Sequence, residues 1–337
     1  MYESFVNSLN VGLDALIGAV LCLGVLFIGR AFYRITTKVK LEYEVSERDN
    51  FAMGITLAGF LVGLAIAISS GLLAQVPLVD KIENQFIIGL VSMVLLRISL
   101  VINDKCILYK FSNLNQIIQY KNVGVALVEA GGSIATGLMI AGAMSCKADS
   151  LLEKLHYGAI YWLIGQAILV LAAHVYRLIC GFKVDEILEA KTETDVGSVG
   201  FFNPIAAGAS FGGYLLAIGL IIQASLDGAS INLVPEIATI ATFAIIGLVL
   251  LTVAKFVLQK VLMPTSPIPK EISVDKNVGA GALAAAGYIA IAAIFAASIS
   301  PATTFAKFNS AINEPIVVTA QETPVNSEVK PVTVQAK

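Results

Sequence analysis

The sequence predicts an all-α, polytopic membrane protein of eight transmembrane helices, and three observations predict it. Apolar residues make up 57% of the 337-residue chain, charged residues only 14%, and the mean hydropathy is +0.83; a soluble domain carries about 25% charged residues. The charge deficit is spread along most of the chain, although the length would suit two ordinary domains. The apolar stretches also reach the roughly 20 residues that a spanning helix needs to satisfy its own backbone within lipid. The lipid bilayer is therefore the expected solvent and partner. A net charge of −2 excludes a nucleic-acid partner, because a phosphate-binding surface needs a basic excess.

Taken in order, the spans are expected near 11–33, 51–74, 85–108, 122–144, 157–180, 204–225, 235–260 and 278–299. The first is no secretory signal, since Glu3 and Asp14 precede its apolar run while Arg30, Arg34, Lys38 and Lys40 follow it. Pro235 sits where a first-turn proline opens the seventh helix. Beyond Ser300 the composition turns to Pro, Thr, Val, Gln and Glu, and 301–337 reads as a disordered polar tail.

Basic residues set the orientation. The odd-to-even connections and adjoining helix ends hold clusters such as Arg30 to Arg48, Arg97 to Lys121, Arg177 to Lys191 and Lys255 to Lys276. The even-to-odd connections hold only Lys81, Lys147 and Lys154. All four odd-to-even loops are therefore expected in the cytoplasm and both termini outside, which in a bacterium is the periplasm. Tyr157, Tyr161 and Trp162 then fall at the outer end of the fifth helix, where an aromatic belt is expected.

A repeat underlies the spans. Each even helix opens near an asparagine, at Asn50, Asn122, Asn203 and Asn277. Aligned on these, Gly132, Gly213 and Gly287 share a column, and Tyr214 and Tyr288 share the next. Six residues upstream of the asparagine stand Glu44, Gln116 and Glu271; the third loop is longer, with Glu186 as the expected counterpart. Each odd helix carries an Ile-Gly pair, at Gly18, Gly89, Gly165 and Gly247. Arg30 and Arg177 lie twelve residues past that glycine in units one and three, and Arg97 and Lys255 lie eight past it in units two and four. Alternate units match best. The chain thus reads as four parallel two-helix repeats grouped into tandem four-span modules, 1–150 and 151–300, related by an axis along the membrane normal.

The two helix types differ. Odd helices are rich in Leu, Ile, Val and Phe and suit lipid contact, whereas even helices carry small-xxx-small spacings such as Gly59/Gly63 and Gly208/Gly212. Small residues let backbones approach where no hydrophobic effect drives helices together. The even helices are accordingly expected to form an inner bundle with the odd helices around them. This pattern of loop acid, asparagine and Gly/Ala-rich helix in two-span units resembles the YjfL-like bacterial inner-membrane proteins, over roughly residues 10–300. The resemblance implies an inner-membrane location and a repeat plan; it brings no activity or catalytic residues.

Candidate chemistry is sparse. Glu129 lies seven residues past Asn122, a turn of about 700° and a rise of about 10.5 Å, so the two side chains share a helix face. Arg97 lies at similar depth on the preceding helix, and the two are expected within salt-bridge reach. Such a pair is either a functional intramembrane site or a structural pair fixing helix register. The four asparagines form either a polar ring at the cytoplasmic mouth or individual helix caps. Lys255 is expected to snorkel toward the cytoplasm, and His174 to make a helix-end polar contact near Arg177. Cys22, Cys106, Cys146 and Cys180 show no metal-ligand spacing and read as small buried hydrophobes. His156 and His174 are too few and too far apart for a metal site.

No HExxH, no GxSxG with a plausible triad, no P-loop and no strand-led dinucleotide motif is present. No cofactor, no metal and no enzymatic activity are expected. The leading reading is a non-enzymatic membrane scaffold or accessory subunit, associating with itself or with other membrane proteins. The alternative is an ion or small-solute channel or transporter, with Glu129 and the asparagine ring as polar stations.

Overall fold

A computed structural model describes residues 2–70, 78–191 and 204–313. Eight of its helices are long and apolar enough to cross a membrane, and among the described residues there is no strand. The four odd-position spans lie in α1 (Tyr2–Thr37), α3 (Leu78–Ile102), α6 (Leu151–Ile179) and α9 (Leu233–Leu262). The even-position spans lie in α2 (Phe51–Ser69), α5 (Val123–Ala143), α8 (Ile205–Leu226) and α11 (Val278–Asn313). Pro235 does fall in the first turn of its helix.

The short helices α4 (Asn113–Ile118), α7 (Val184–Leu188) and α10 (Ile268–Ser273), with π-turns over Tyr43–Glu47 and Asn103–Ile107, fold the connections that sequence patterning leaves as loops. Five or six residues are too few for periodicity to register. Helix α11 carries on through Asn313, past Ser300 where a disordered tail was expected; residues 314–337 lie outside the described part. The segment after Pro301 is rich in Ala and Phe, and nothing in it up to Asn313 forces a stop.

The even helices form a row, α2–α5–α8–α11, rather than a closed bundle. Neighbours meet backbone to backbone through small residues. A methyl group added at Gly63 would lie 2.4 Å from the Ser133 carbonyl oxygen, at Gly131 2.4 Å from that of Gly212, and at Gly281 2.2 Å from that of Ala206. Only glycine permits such approach. The central pair, α5 and α8, is 83% and 78% buried over its most apolar stretch, whereas the end helices α2 and α11 are 50% and 28% buried. A row has ends, so composition alone overstates how deeply all four even helices lie. The odd helices form a second row, with α1 on α3 and α6 on α9, packed against the first.

Aromatic and polar side chains fill the space between the rows. Tyr176 stacks on Phe211 with centroids 4.6 Å apart, and its hydroxyl donates to Ser210 at 2.9 Å. Trp162 donates to Ser99 at 3.2 Å, and Tyr161 donates to the Ser230 carbonyl at 2.5 Å. Both rings are buried within the protein, so the expected lipid-facing belt is not what Tyr161 and Trp162 form. An indole N–H and a phenol O–H are equally well served by a protein partner.

Candidate functional site

The odd-to-even connections repeat one hydrogen-bonded device. In unit one Asn50 Oδ1 accepts from the Met53 amide at 3.1 Å, capping α2, while its Nδ2 donates to Glu44 at 3.0 Å. In unit two Asn122 Oδ1 accepts from Val125 at 3.1 Å and Nδ2 donates to Gln116 at 2.8 Å. In unit four Asn277 caps Ala280 at 3.2 Å and donates to Glu271 at 3.0 Å. The residue before each asparagine is left-handed: Asp49 at φ 49°, Lys121 at 51° and Lys276 at 53°. That kink turns the chain from the loop into the helix.

The same asparagines also join unit to unit. Asn50 Nδ2 donates to the Ile117 carbonyl of unit two at 3.0 Å, and Asn122 Nδ2 to the Leu188 carbonyl of unit three at 2.7 Å. All three asparagines therefore act as caps bound to their own loops, Asn50 and Asn122 act as joints as well, and they do not make a shared ring. Asn203 lies outside the described residues. Glu186 does not take the place of Glu44 and Gln116: it is exposed and paired with Lys183 at 2.8 Å, which raises the lysine pKa. Counted from the start of the short helix, Ile187 occupies that position.

A second joint links the odd helices. Arg97 donates to the Thr36 carbonyl at 3.4 Å, Arg177 donates to that of Ile107, and Lys255 to that of Ile179. In each case a cation satisfies the last carbonyls of the preceding odd helix, where the helix dipole is negative. Lys255 is thus held by protein instead of snorkelling to solvent. Arg177 also pairs with Asp185 at 2.8 Å and stands over the Tyr109 and Phe211 rings. His174 bonds the Val170 carbonyl at 2.8 Å and stacks on Tyr109.

Arg97 and Glu129 line one cavity of about 290 Å³ at the basic-loop end of the first module. They make no ion pair within 4.0 Å, contrary to the sequence expectation, because the cavity intervenes. Glu129 is 8% exposed. Around it stand Tyr33 from α1, Asp104 and Lys105 from the π-turn, and Asn113 from α4. Asp104 accepts from the Asn113 backbone at 2.9 Å and meets Lys105 at 3.2 Å. The Asn113 side chain approaches Glu129, yet neither its nitrogen nor its oxygen has a partner in hydrogen-bonding geometry. Sequence reasoning missed Tyr33, Asp104 and Asn113.

The repeat supplies a comparison inside the molecule. At the matching positions of the second module Cys180 replaces Tyr33, Lys255 replaces Arg97, Ile268 replaces Asn113 and Ala284 replaces Glu129. Those four line a cavity of only about 20 Å³. The second module therefore lacks the counterpart of this polar site. The cysteines are free, with Cys146 and Cys180 buried and Cys106 exposed, and among the described residues no cluster could hold a metal ion.

Fold and site together define a multi-pass, all-helical membrane protein built from repeated two-helix units, with a polar cavity in the first module whose counterpart in the second is nearly closed. Comparison with protein families agrees with the duplication. The family model described as Domain of Unknown Function (DUF350) matches residues 5–144 and again 150–299, and the chain belongs to that family. No curated protein and no solved structure matches the chain.

Proposed function

We propose that the protein is a non-enzymatic scaffold of the bacterial inner membrane, of the YjfL-like kind, that associates with further copies of itself head to tail. It comprises two four-span modules, 1–150 and 151–300, followed by a periplasmic tail, 301–337; its basic loops face the cytoplasm. The observation that carries this reading is the repeated joint and its open ends. Asn277 is exposed and lacks the loop carbonyl that Asn50 and Asn122 find in the next unit. Gly279, Ala282, Ala286 and Ala290 are exposed on α11, where the matching face of α5, including Gly124 and Gly131, packs on α8. At the other end Arg30 pairs with exposed Glu42 at 2.8 Å, where Arg97, Arg177 and Lys255 each hold a helix-end carbonyl. Val45 is 40% exposed where its counterparts Ile117 and Leu188 are buried.

Joining unit four of one copy to unit one of another is a heterologous contact, which closes into a ring or extends as a row. The expected result is a cross-link between copies when Ala286→Cys and Ala58→Cys are paired in an otherwise cysteine-free chain. Exclusive formation of the symmetric Ala286–Ala286 product, or a monomer throughout, overturns the head-to-tail reading.

The cavity favours a second reading, a route for an ion or small solute past Glu129. Against it stands the backbone contact along the even row, which leaves no space between those helices. Loss of flux in Glu129→Gln proteoliposomes decides for transport; unchanged flux decides for the scaffold.

A further inference from the structure

We propose that the first-module cavity binds a small zwitterion, its ammonium group held by Glu129 and its anionic oxygens by Arg97. The inference rests on the cavity and is independent of the head-to-tail joint.

Opposite charges in a low-dielectric setting attract strongly, yet Arg97 and Glu129 line one space and do not close on each other. Arg97 has five N–H donors and uses one, in a 3.4 Å bond to Thr36. Asn113 is 1% exposed, and its side chain approaches Glu129 without bringing either polar atom into hydrogen-bonding geometry. A buried amide left so is rare and calls for an occupant. The space of about 290 Å³ far exceeds the roughly 10–15 Å³ that admits a single water. It therefore takes a solute of several heavy atoms.

Charge selects the class. Asp104 pairs with exposed Lys105 at 3.2 Å, so two acids and two cations line the space and their charges sum to zero. A simple cation would face Arg97, and a simple anion would face Glu129. Only a ligand carrying both signs leaves neither opposed, while the Asn113 side chain beside Glu129 offers a donor and an acceptor. The second module, with Ala284 and Ile268 in place of Glu129 and Asn113, has nearly closed the space.

Such chemistry has two sources: a free amino-acid-like solute, or the headgroup of an aminophospholipid. The second is open to it because Val101 and Leu114, both apolar and exposed, line the cavity. The full chain in phosphatidylglycerol nanodiscs is titrated with γ-aminobutyrate and with glycerophosphoethanolamine. A parallel sample containing phosphatidylethanolamine is examined by native mass spectrometry for retained lipid.

One bound zwitterion per chain is expected, weakened at least about tenfold in both Glu129→Gln and Arg97→Gln. Arg97→Lys is expected to restore part of the affinity. Asn113→Ile, copying Ile268, is expected to abolish binding in a folded protein, and Glu129→Ala copies Ala284 should the glutamine variant misfold. Soluble ligands alone binding identifies a free solute; lipid alone binding identifies the headgroup. The inference is overturned if no zwitterion binds, or if the variants bind within about twofold of the parent. It is equally overturned if ethylammonium or acetate binds as tightly as the zwitterions.

Discussion

Asn122 does three things at once, and its neighbours show what each is worth. Its side chain caps α5, bonds Gln116 and holds the Leu188 carbonyl of the next unit. Asn277 performs the first two roles and lacks the third. Losing a cap costs about 1 kcal/mol, and stranding a buried acceptor adds about 1–3 kcal/mol. Asn122→Ala is therefore expected to destabilise the protein by about 2–4 kcal/mol, and exposed Asn277→Ala by about 1 kcal/mol. Unfolding in mixed detergent micelles measures both; equal losses would dissolve the distinction between cap and joint. The asparagines were legible in the sequence because they repeat, and so were Glu44, Gln116 and Glu271 six residues before them. The left-handed residue between was not, since Asp49, Lys121 and Lys276 stand where glycine would have signalled it. Asn113 was hidden for the opposite reason: it departs from the repeat, and its partner position holds Ile268.

Between helices, the glycines divide by what lies opposite. A methyl group at Gly208 would sit 2.2 Å from the Gly124 carbonyl oxygen, so α5 and α8 would have to part. Overpacking of this kind costs about 1–3 kcal/mol. At Gly24 on α1 nothing lies within 4 Å, and alanine there gains helix propensity of up to about 1 kcal/mol. Gly208→Ala is thus expected to lower, and Gly24→Ala to leave or raise, the denaturant midpoint. A uniform response from both would mean that the row is not held by close backbone approach. The Gly/Ala bias of the even helices made their contact with each other legible. It left unsaid that they line up instead of encircling a centre, because small-residue spacing reports closeness and not the number of neighbours. The odd-helix cations were legible as two alternating columns, but their carbonyl partners follow only from the packing.

Across the whole molecule, the basic residues concentrate on the side where the odd helices end, and the proposed orientation rests on that asymmetry. The native cysteines offer a direct reading. Cys106 is exposed in the π-turn at that side, beside Lys105. Cys146 lies in the connection on the opposite side, buried, and burial pushes its thiol pKa up. Thiolate is the reactive form, so Cys146 reacts slowly at neutral pH. A chain retaining Cys106 as its sole cysteine is expected to resist a membrane-impermeant maleimide in intact cells and to label in inverted vesicles. Leu152→Cys, at an exposed position in the first turn of α6, is expected to do the reverse. The opposite pattern at both sites would invert the protein and carry the Arg97–Glu129 cavity to the outer face, where its zwitterion would have to come from the periplasm or the outer leaflet. Labelling of both cysteines from one side would separate the ends of the helix row from any membrane-spanning arrangement. The paired result therefore tests the eight-span reading and its orientation in one measurement, with Cys106 and residue 152 serving as each other's control.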